Sequence, residues 1–463
     1  MTHHKRPYLP GPAKKRVWRA LIALFWVVCC FPGCQQANVR EAAESRLSKS
    51  VVHEWNRLLL ELERKTPGYR APVSARMFAY VGSSAWQAAL PAFKGYCSLD
   101  NFCPQFRKPV KMPDRFYLPA SLNAAYAEIL RQFFPTTPTY LTEQINALEL
   151  RQAQQFKSIA DQEALRQSAA YGKKSALAVW RWSVTDSLGH EGFLYNYDCH
   201  YASPDCEGCW RPDEEHPKLA LLPFWGRVRP FVVDKAEVAV NDPLPADGRP
   251  GSAYYAAALE VFALSQPVSE ENRRIAEFWS DDVPGLNFTP AGHWISIAMQ
   301  TVSCHDLPLM QELEMYLKLG FAMSDAIITC WDAKYSFNRE RPEAIIRRTI
   351  APNWKPLHDA PAFPSYPSGH AVLGAAAAEI LTAYFGPDCH LTDRTYEKQP
   401  ALNGITRSFG SFAEMAQENA SSRIALGVHF RMDCEEGMRI GRLIGRKVAA
   451  LPLDAPKTNL SAN

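Results

Sequence analysis

A chain of 463 residues that is 47% hydrophobic and 21% charged is ordinary for a globular protein and long enough to bury a large core, as one big helical domain or two modest ones. The formal charge of +3 overstates its basicity, because Lys5, Arg6, Lys14, Lys15, Arg16 and Arg19 all sit ahead of one apolar run, and the rest of the chain carries −3. That balance excludes a general nucleic-acid binder, and the lack of any later segment of ~18 uninterrupted apolar residues excludes a multi-span membrane protein.

In chain order, residues 1–33 combine the basic lead with the apolar run "ALIALFWVVCC" and end at "FPGC". This reads as an export signal. Cys34 stands where a bacterial lipoprotein is lipidated, although Phe31 and Pro32 depart from the Leu and small residue usual there. The expected location is therefore periplasmic or cell-envelope, or secreted, with membrane contact only through an N-terminal lipid anchor. Residues 34–50 are polar and charged and read as a tether, and 51–194 as an N-terminal helical region. Its strongest periodicity, Leu148 to Trp182, predicts one long helix or two.

Residues 195–250 lose that periodicity and gather Pro, Asp, Cys and Trp, as a structured loop region does. Nine cysteines lie beyond Cys34, and close spacings such as Cys97 with Cys103, or Cys199 with Cys206 and Cys209, suit loop-stapling disulfides in an oxidising compartment. A zinc site using His200 with the last three lacks a second Cys-x2-Cys pair. From 251 to 450 the helical pattern returns in clean pieces, and 451–463 reads as a loose tail. Strand-like alternation is scarce, so the expected fold is all-α.

Three short stretches carry chemistry. Lys334 and Arg341 lie seven apart, nearly two turns if one helix holds both, and two converging cations want an anion. Pro342 sets the guanidinium at a helix end. In "AFPSYPSGHAVLG", Pro367-Ser368-Gly369-His370 leads into an Ala-rich helix, so a hydroxyl, a close backbone approach, free N–H groups and an imidazole meet at a helix N-terminus. In "SSRIALGVHFRMD", Asp433 follows His429 by four and can fix its tautomer, while Arg423 reaches the same point by its length. Taken singly, such pieces are usually a solvated charged face, a helix cap and a satisfied surface pair.

Together, Lys334-x6-Arg341-Pro342, Pro367-Ser368-Gly369-His370 and Ser422-Arg423-x5-His429-x3-Asp433 resemble the three-part signature of the vanadium haloperoxidase and type 2 phosphatidic acid phosphatase superfamily. The likeness is strongest over residues 250–450, and "TPAGHWISIA" and "PFWGRVRPF" resemble bacterial haloperoxidase-type members. It implies a helical-bundle core with an additional N-terminal helical region. It further implies that Lys334, Arg341, Arg423, Ser368 and Gly369 bind vanadate or phosphate, and that His370 is the acid/base. By the same likeness, His429 is the axial vanadium ligand or the nucleophile that becomes phosphohistidine, and Asp433 orients it.

Trp331 and Phe363 fall where fungal chloroperoxidases of this family have halide-proximal aromatics, and both positions also suit plain packing. Glu340 replaces an aromatic before Arg341 and could pair with it. Three readings stay open. One is an exported haloperoxidase that holds vanadate and uses hydrogen peroxide and a halide; another is an exported acid phosphatase with no cofactor, acting on a phosphate monoester. The third is an oxyanion-binding lipoprotein that has no need of His370 or Asp433.

Overall fold

The computed structural model describes residues 1, 32–103, 105–108, 111–212, 219–281, 283, 285–399 and 404–454. The export signal up to residue 31 and the tail from 455 lie outside the described residues. The chain divides into units 1–50 and 51–463. Helix α1 (Pro32–Lys65) is continuous, so the backbone of the stretch read as a tether is helical from Pro32.

In the larger unit the fold is all-α. Helices α2 (Ala71–Ala89), α3 (Leu118–Phe133), α4 (Thr139–Lys157) and α5 (Gln162–Val184) form the N-terminal part. Pro72 and Pro119 occupy the first turns of α2 and α3, where no intrahelical donor is lost. The Leu148 to Trp182 periodicity resolves into two helices because Asp161 caps α5, its carboxylate accepting from Ala164 N at 3.1 Å. Helices α6 (Ala253–Ser265), α7 (Glu270–Phe278), α8 (Pro290–Cys304), α9 (Leu309–Phe337), α10 (Pro342–Thr349), α11 (Gly369–Phe385), α12 (Phe412–Ala425) and α13 (Arg431–Ala449) complete it. Two short antiparallel pairs, Tyr197–Asp198 with Ala220–Leu221 and Leu391–Asp393 with Arg407–Phe409, are the named strands among the described residues.

Helix α9 is the central post: it packs on α2 and on α11, α11 packs on α13 and α12, and α3 packs on α5. The α11–α13 contact depends on Gly437, Gly441 and Gly445, one every fourth residue along the α13 face. A Cβ at Gly441 would come within 2.2 Å of the Val372 carbonyl oxygen, and one at Gly437 within 2.9 Å of the Ser368 carbonyl oxygen. That close approach lets Ser368 N donate to the Asp433 carbonyl at 2.9 Å, tying the start of α11 to the start of α13.

One buried carboxylate of α9 holds the middle of the 195–250 segment. Asp325 accepts from the backbone N–H of Phe231, Val232 and Val233, each at 2.8 Å. Burial nevertheless pushes this carboxyl up to about 7 against those bonds. Within the segment Cys206 and Cys209 form a disulfide, which removes both from any zinc site with His200. Cys97 and Cys103, expected to staple a loop, are free thiols, as is Cys199. Other bonds hold the 97–103 loop: Trp86 Nε1 donates to the Cys97 carbonyl, Gln87 pairs with Ser98 and Leu99, and Cys97 N donates to the Leu453 carbonyl.

Candidate active site

The three sequence stretches come together at one end of α9, α11 and α13. Lys334 lies in the last turn of α9, which stops at Phe337 because Asn338 adopts a left-handed conformation (φ 47°). Arg341 is then the extended N-cap residue of α10, with Pro342 following. The two cations therefore do not share a face of one helix; the chain breaks between them and folds them together. Lys334 Nζ donates to the carbonyls of Pro364 (2.9 Å) and Ser365 (2.8 Å), and Arg341 Nε donates to the Phe363 carbonyl (3.0 Å). Both grip the loop that precedes Ser368.

His429 and Asp433 meet by a different geometry from the one their spacing suggests. His429 precedes α13, Phe430 is its extended N-cap, and Asp433 is the third helical residue, reaching back across the first turn. Asp433 Oδ2 lies 2.9 Å from His429 Nδ1 and accepts from the Ser365 hydroxyl (2.5 Å) and Phe430 N (3.2 Å). With Nδ1–H committed to the carboxylate, the Nε2 lone pair faces the cations, 3.1 Å from Arg341 Nη1.

Arg423, in the last turn of α12, is brought to the same place by a reversal at Gly427 (φ 88°), where a Cβ would come within 3.0 Å of Trp354 and Pro356. Its Nη1 donates to the Trp279 carbonyl at 2.7 Å. Ser368 is the N-cap of α11, its hydroxyl accepting from Ala371 N at 3.5 Å, so the capping reading of that serine holds alongside its place next to the site.

A cavity of about 880 Å³ opens onto this cluster, lined among others by Trp331, Phe363, Gly369, His370, Arg423 and His429. Trp331 and Phe363 stack obliquely at 4.9 Å, and Phe363 also carries Lys334 Nζ at 5.0 Å and the Arg341 guanidinium at 4.8 Å over its ring. They both line the cavity and pack the cations. Glu340 points elsewhere: its two oxygens accept from Arg348 at 2.9 and 2.8 Å, which leaves Arg341 to the site.

Burial first, and then the crowd of positive charge, pushes His370 and His429 well below the usual imidazole range. Burial likewise lowers Lys334 to about 7, while it raises Asp433 to about 6 despite the Ser365 bond. The charges of Lys334, Arg341 and Arg423 all bear on these two imidazoles, an excess of positive charge gathered at one point. An oxyanion relieves it.

Residues 314–454 match the model of the VCPO second helical-bundle domain. A solved structure described as the first bacterial vanadium-dependent iodoperoxidase is 27% identical, with a TM-score of 0.77 over 88% of this chain and 98% of that one. Residues 314–454 thus carry a domain of the vanadium haloperoxidase family.

Among curated family members, the vanadium chloroperoxidase of Curvularia inaequalis is 28% identical over 26% of the chain, and the vanadium-dependent bromoperoxidase of Ascophyllum nodosum 35% identical over 18%. The matches span only 27% and 17% of those two proteins. A bacterial vanadium-dependent chloroperoxidase shares the fold at 18% identity, with a TM-score of 0.64 over 83% of this chain and 93% of that one. The family's cofactor, vanadate, fits the donor set: three cations, the N-terminal N–H groups of α11, and one imidazole lone pair held ready by a carboxylate.

Ser365 was not among the residues singled out in the sequence. It binds the Asp433 carboxylate through its hydroxyl and Lys334 through its carbonyl. Its place between Pro364 and Pro367 is the one signal that pointed to it.

Proposed function

We propose that the protein is an exported vanadium-dependent haloperoxidase that uses hydrogen peroxide to oxidise a halide to hypohalous acid. The observation that carries this reading is the His429 imidazole, with Nδ1 locked on Asp433 and Nε2 turned into the cation cluster beside Arg341. Bound vanadate supplies a Lewis-acidic centre that activates peroxide without changing its own redox state.

The chain's residues do the rest. His429 Nε2 would ligate the metal, and Lys334, Arg341 and Arg423, all buried, would compensate the oxyanion charge where screening by water is weakened. The N–H groups at the start of α11 would add hydrogen bonds. His370, kept neutral, is in the form that can take a proton from peroxide. Trp331 and Phe363 would form the apolar wall against which a poorly hydrated halide rests.

Purified without vanadate and then given orthovanadate, the protein is expected to gain iodide or bromide oxidation with hydrogen peroxide. Hydrolysis of p-nitrophenyl phosphate that vanadate extinguishes, with no halide oxidation, would instead make it a phosphatase inhibited by a transition-state mimic. The export reading rests on the basic lead, the apolar run and Cys34. In a bacterial host the full chain is expected in the membrane pellet and Cys34→Ser in the soluble envelope fraction; equal partitioning of the two would remove the lipid anchor.

A further inference from the structure

Beside the oxyanion cluster lies a second set of buried charges that the proposed chemistry does not use. His293, in the first turn of α8, is fully buried between two carboxylates: Nδ1 is 2.9 Å from Asp281 Oδ1 and Nε2 2.8 Å from Asp393 Oδ2. Each ring nitrogen faces a carboxyl oxygen, so with both carboxylates ionised both bonds are made only when both nitrogens carry hydrogen. Burial alone would strip that charge, yet the two carboxylates together outweigh it and hold the imidazole up to about 10.

The other oxygens of the cluster are bonded except Asp281 Oδ2, which is buried with no hydrogen-bond partner among the described residues. Asp281 Oδ1 also accepts from the Tyr396 hydroxyl (2.5 Å), and Asp393 Oδ1 accepts from Thr395 N, the Thr395 hydroxyl and Gln300. It joins α8, the loop after α7 and the strand Leu391–Asp393. A buried ion triad is a weak source of stability but costly to break, and is best retained where it fixes a register.

What it fixes is the segment Trp279 to Asp281. Trp279, two residues before Asp281, accepts Arg423 Nη1 on its carbonyl at 2.7 Å. Its indole lies 4.9 Å from the His293 ring, and its Nε1 donates at 3.0 Å to Glu418, on the same helix as Arg423. Thus His293 holds the Trp279 segment at two points, by its ring contact and through Asp281, and that segment supplies an acceptor to a guanidinium lining the active cavity.

We propose that the Asp281–His293–Asp393 cluster is a positioning device for Arg423, fixing the Trp279 carbonyl that aims this guanidinium at the bound oxyanion. The inference rests on the reading of Arg423 as an oxyanion-binding residue. His293 touches no substrate; it acts through Trp279.

The test is a double-mutant cycle on the full chain, reading orthovanadate and inorganic phosphate affinity by calorimetry, with melting temperatures alongside. His293→Asn and Asp393→Asn are each expected to weaken vanadate binding by about 10–100-fold, as loss of an outer-shell partner does. In an Arg423→Ala background the same changes should add less than about 2-fold, because the group they position is gone. Tyr396→Phe removes only a hydroxyl and is expected to fold if the others do not; a loss of affinity that vanishes in the same background supports the proposal. Losses that multiply with that of Arg423→Ala, or folded cluster variants binding vanadate like the parent, overturn it. If Arg423→Ala itself leaves both affinities unchanged, the oxyanion role of Arg423 fails and the inference with it, whereas a weakened Arg423→Ala beside unaffected cluster variants sinks the inference alone.

Discussion

Replacing His429 by alanine is expected to abolish vanadate retention and halide oxidation together. The side chain is buried, it contributes the one imidazole lone pair that faces Arg341, and its other nitrogen is committed to Asp433. On the proposed reading, removing it would delete a bond to the metal rather than one charge among several, a loss that Lys334, Arg341 and Arg423 could not make up. Activity should fall by about 10⁴ or more, at or beyond the upper end of what one acid/base group supplies. Titration of His429→Ala with orthovanadate separates this from simple anion binding. A protein that held oxyanions by charge alone would keep most of its affinity, and an isotherm matching the parent would end the ligand role.

The helices were legible because their signals are local. Proline in the first turn of α10, serine before α11 and the apolar periodicity of α9 depend on neighbours within a turn or two, and each stands where those signals place it. The candidate site residues were legible as a set, while the way they meet was not. Lys334 and Arg341 converge because Asn338 accepts a left-handed backbone, a choice that spacing alone does not reveal. His429 and Asp433 meet across a helix start rather than along a helix face.

The least legible partners were backbone groups. The Pro364 and Ser365 carbonyls that receive Lys334, and the Trp279 carbonyl that receives Arg423, have no identity in a sequence, and the last bond joins residues 144 positions apart. The free thiols of Cys97 and Cys103 make the same point from the other side: their spacing suited a disulfide, but the loop is tied by Trp86, Gln87 and the Leu453 carbonyl. The His293 cluster is long-range in the same way, since Asp281 and Asp393 lie 12 and 100 positions from the histidine they clamp.

His370→Ala should separate binding from turnover. The imidazole stands one residue into α11 behind Gly369, lines the cavity, and is driven toward its neutral form by burial and then by Arg423, His293, Lys334 and Arg341. A neutral imidazole gives the oxyanion no charge compensation, so its removal leaves the three cations and the helix N-terminus in place, and vanadate affinity should change by no more than about 3-fold. What disappears is the group that can accept a proton where peroxide arrives, and the rate should fall by about 10²–10⁴. The contrast with His429→Ala is the informative part: two buried histidines in one cavity, one whose loss removes the cofactor and one whose loss leaves it bound but slow. Vanadate calorimetry beside halide-oxidation kinetics reads both. Parallel losses of affinity and rate in His370→Ala would make this histidine part of the helix-end scaffold instead of the proton acceptor.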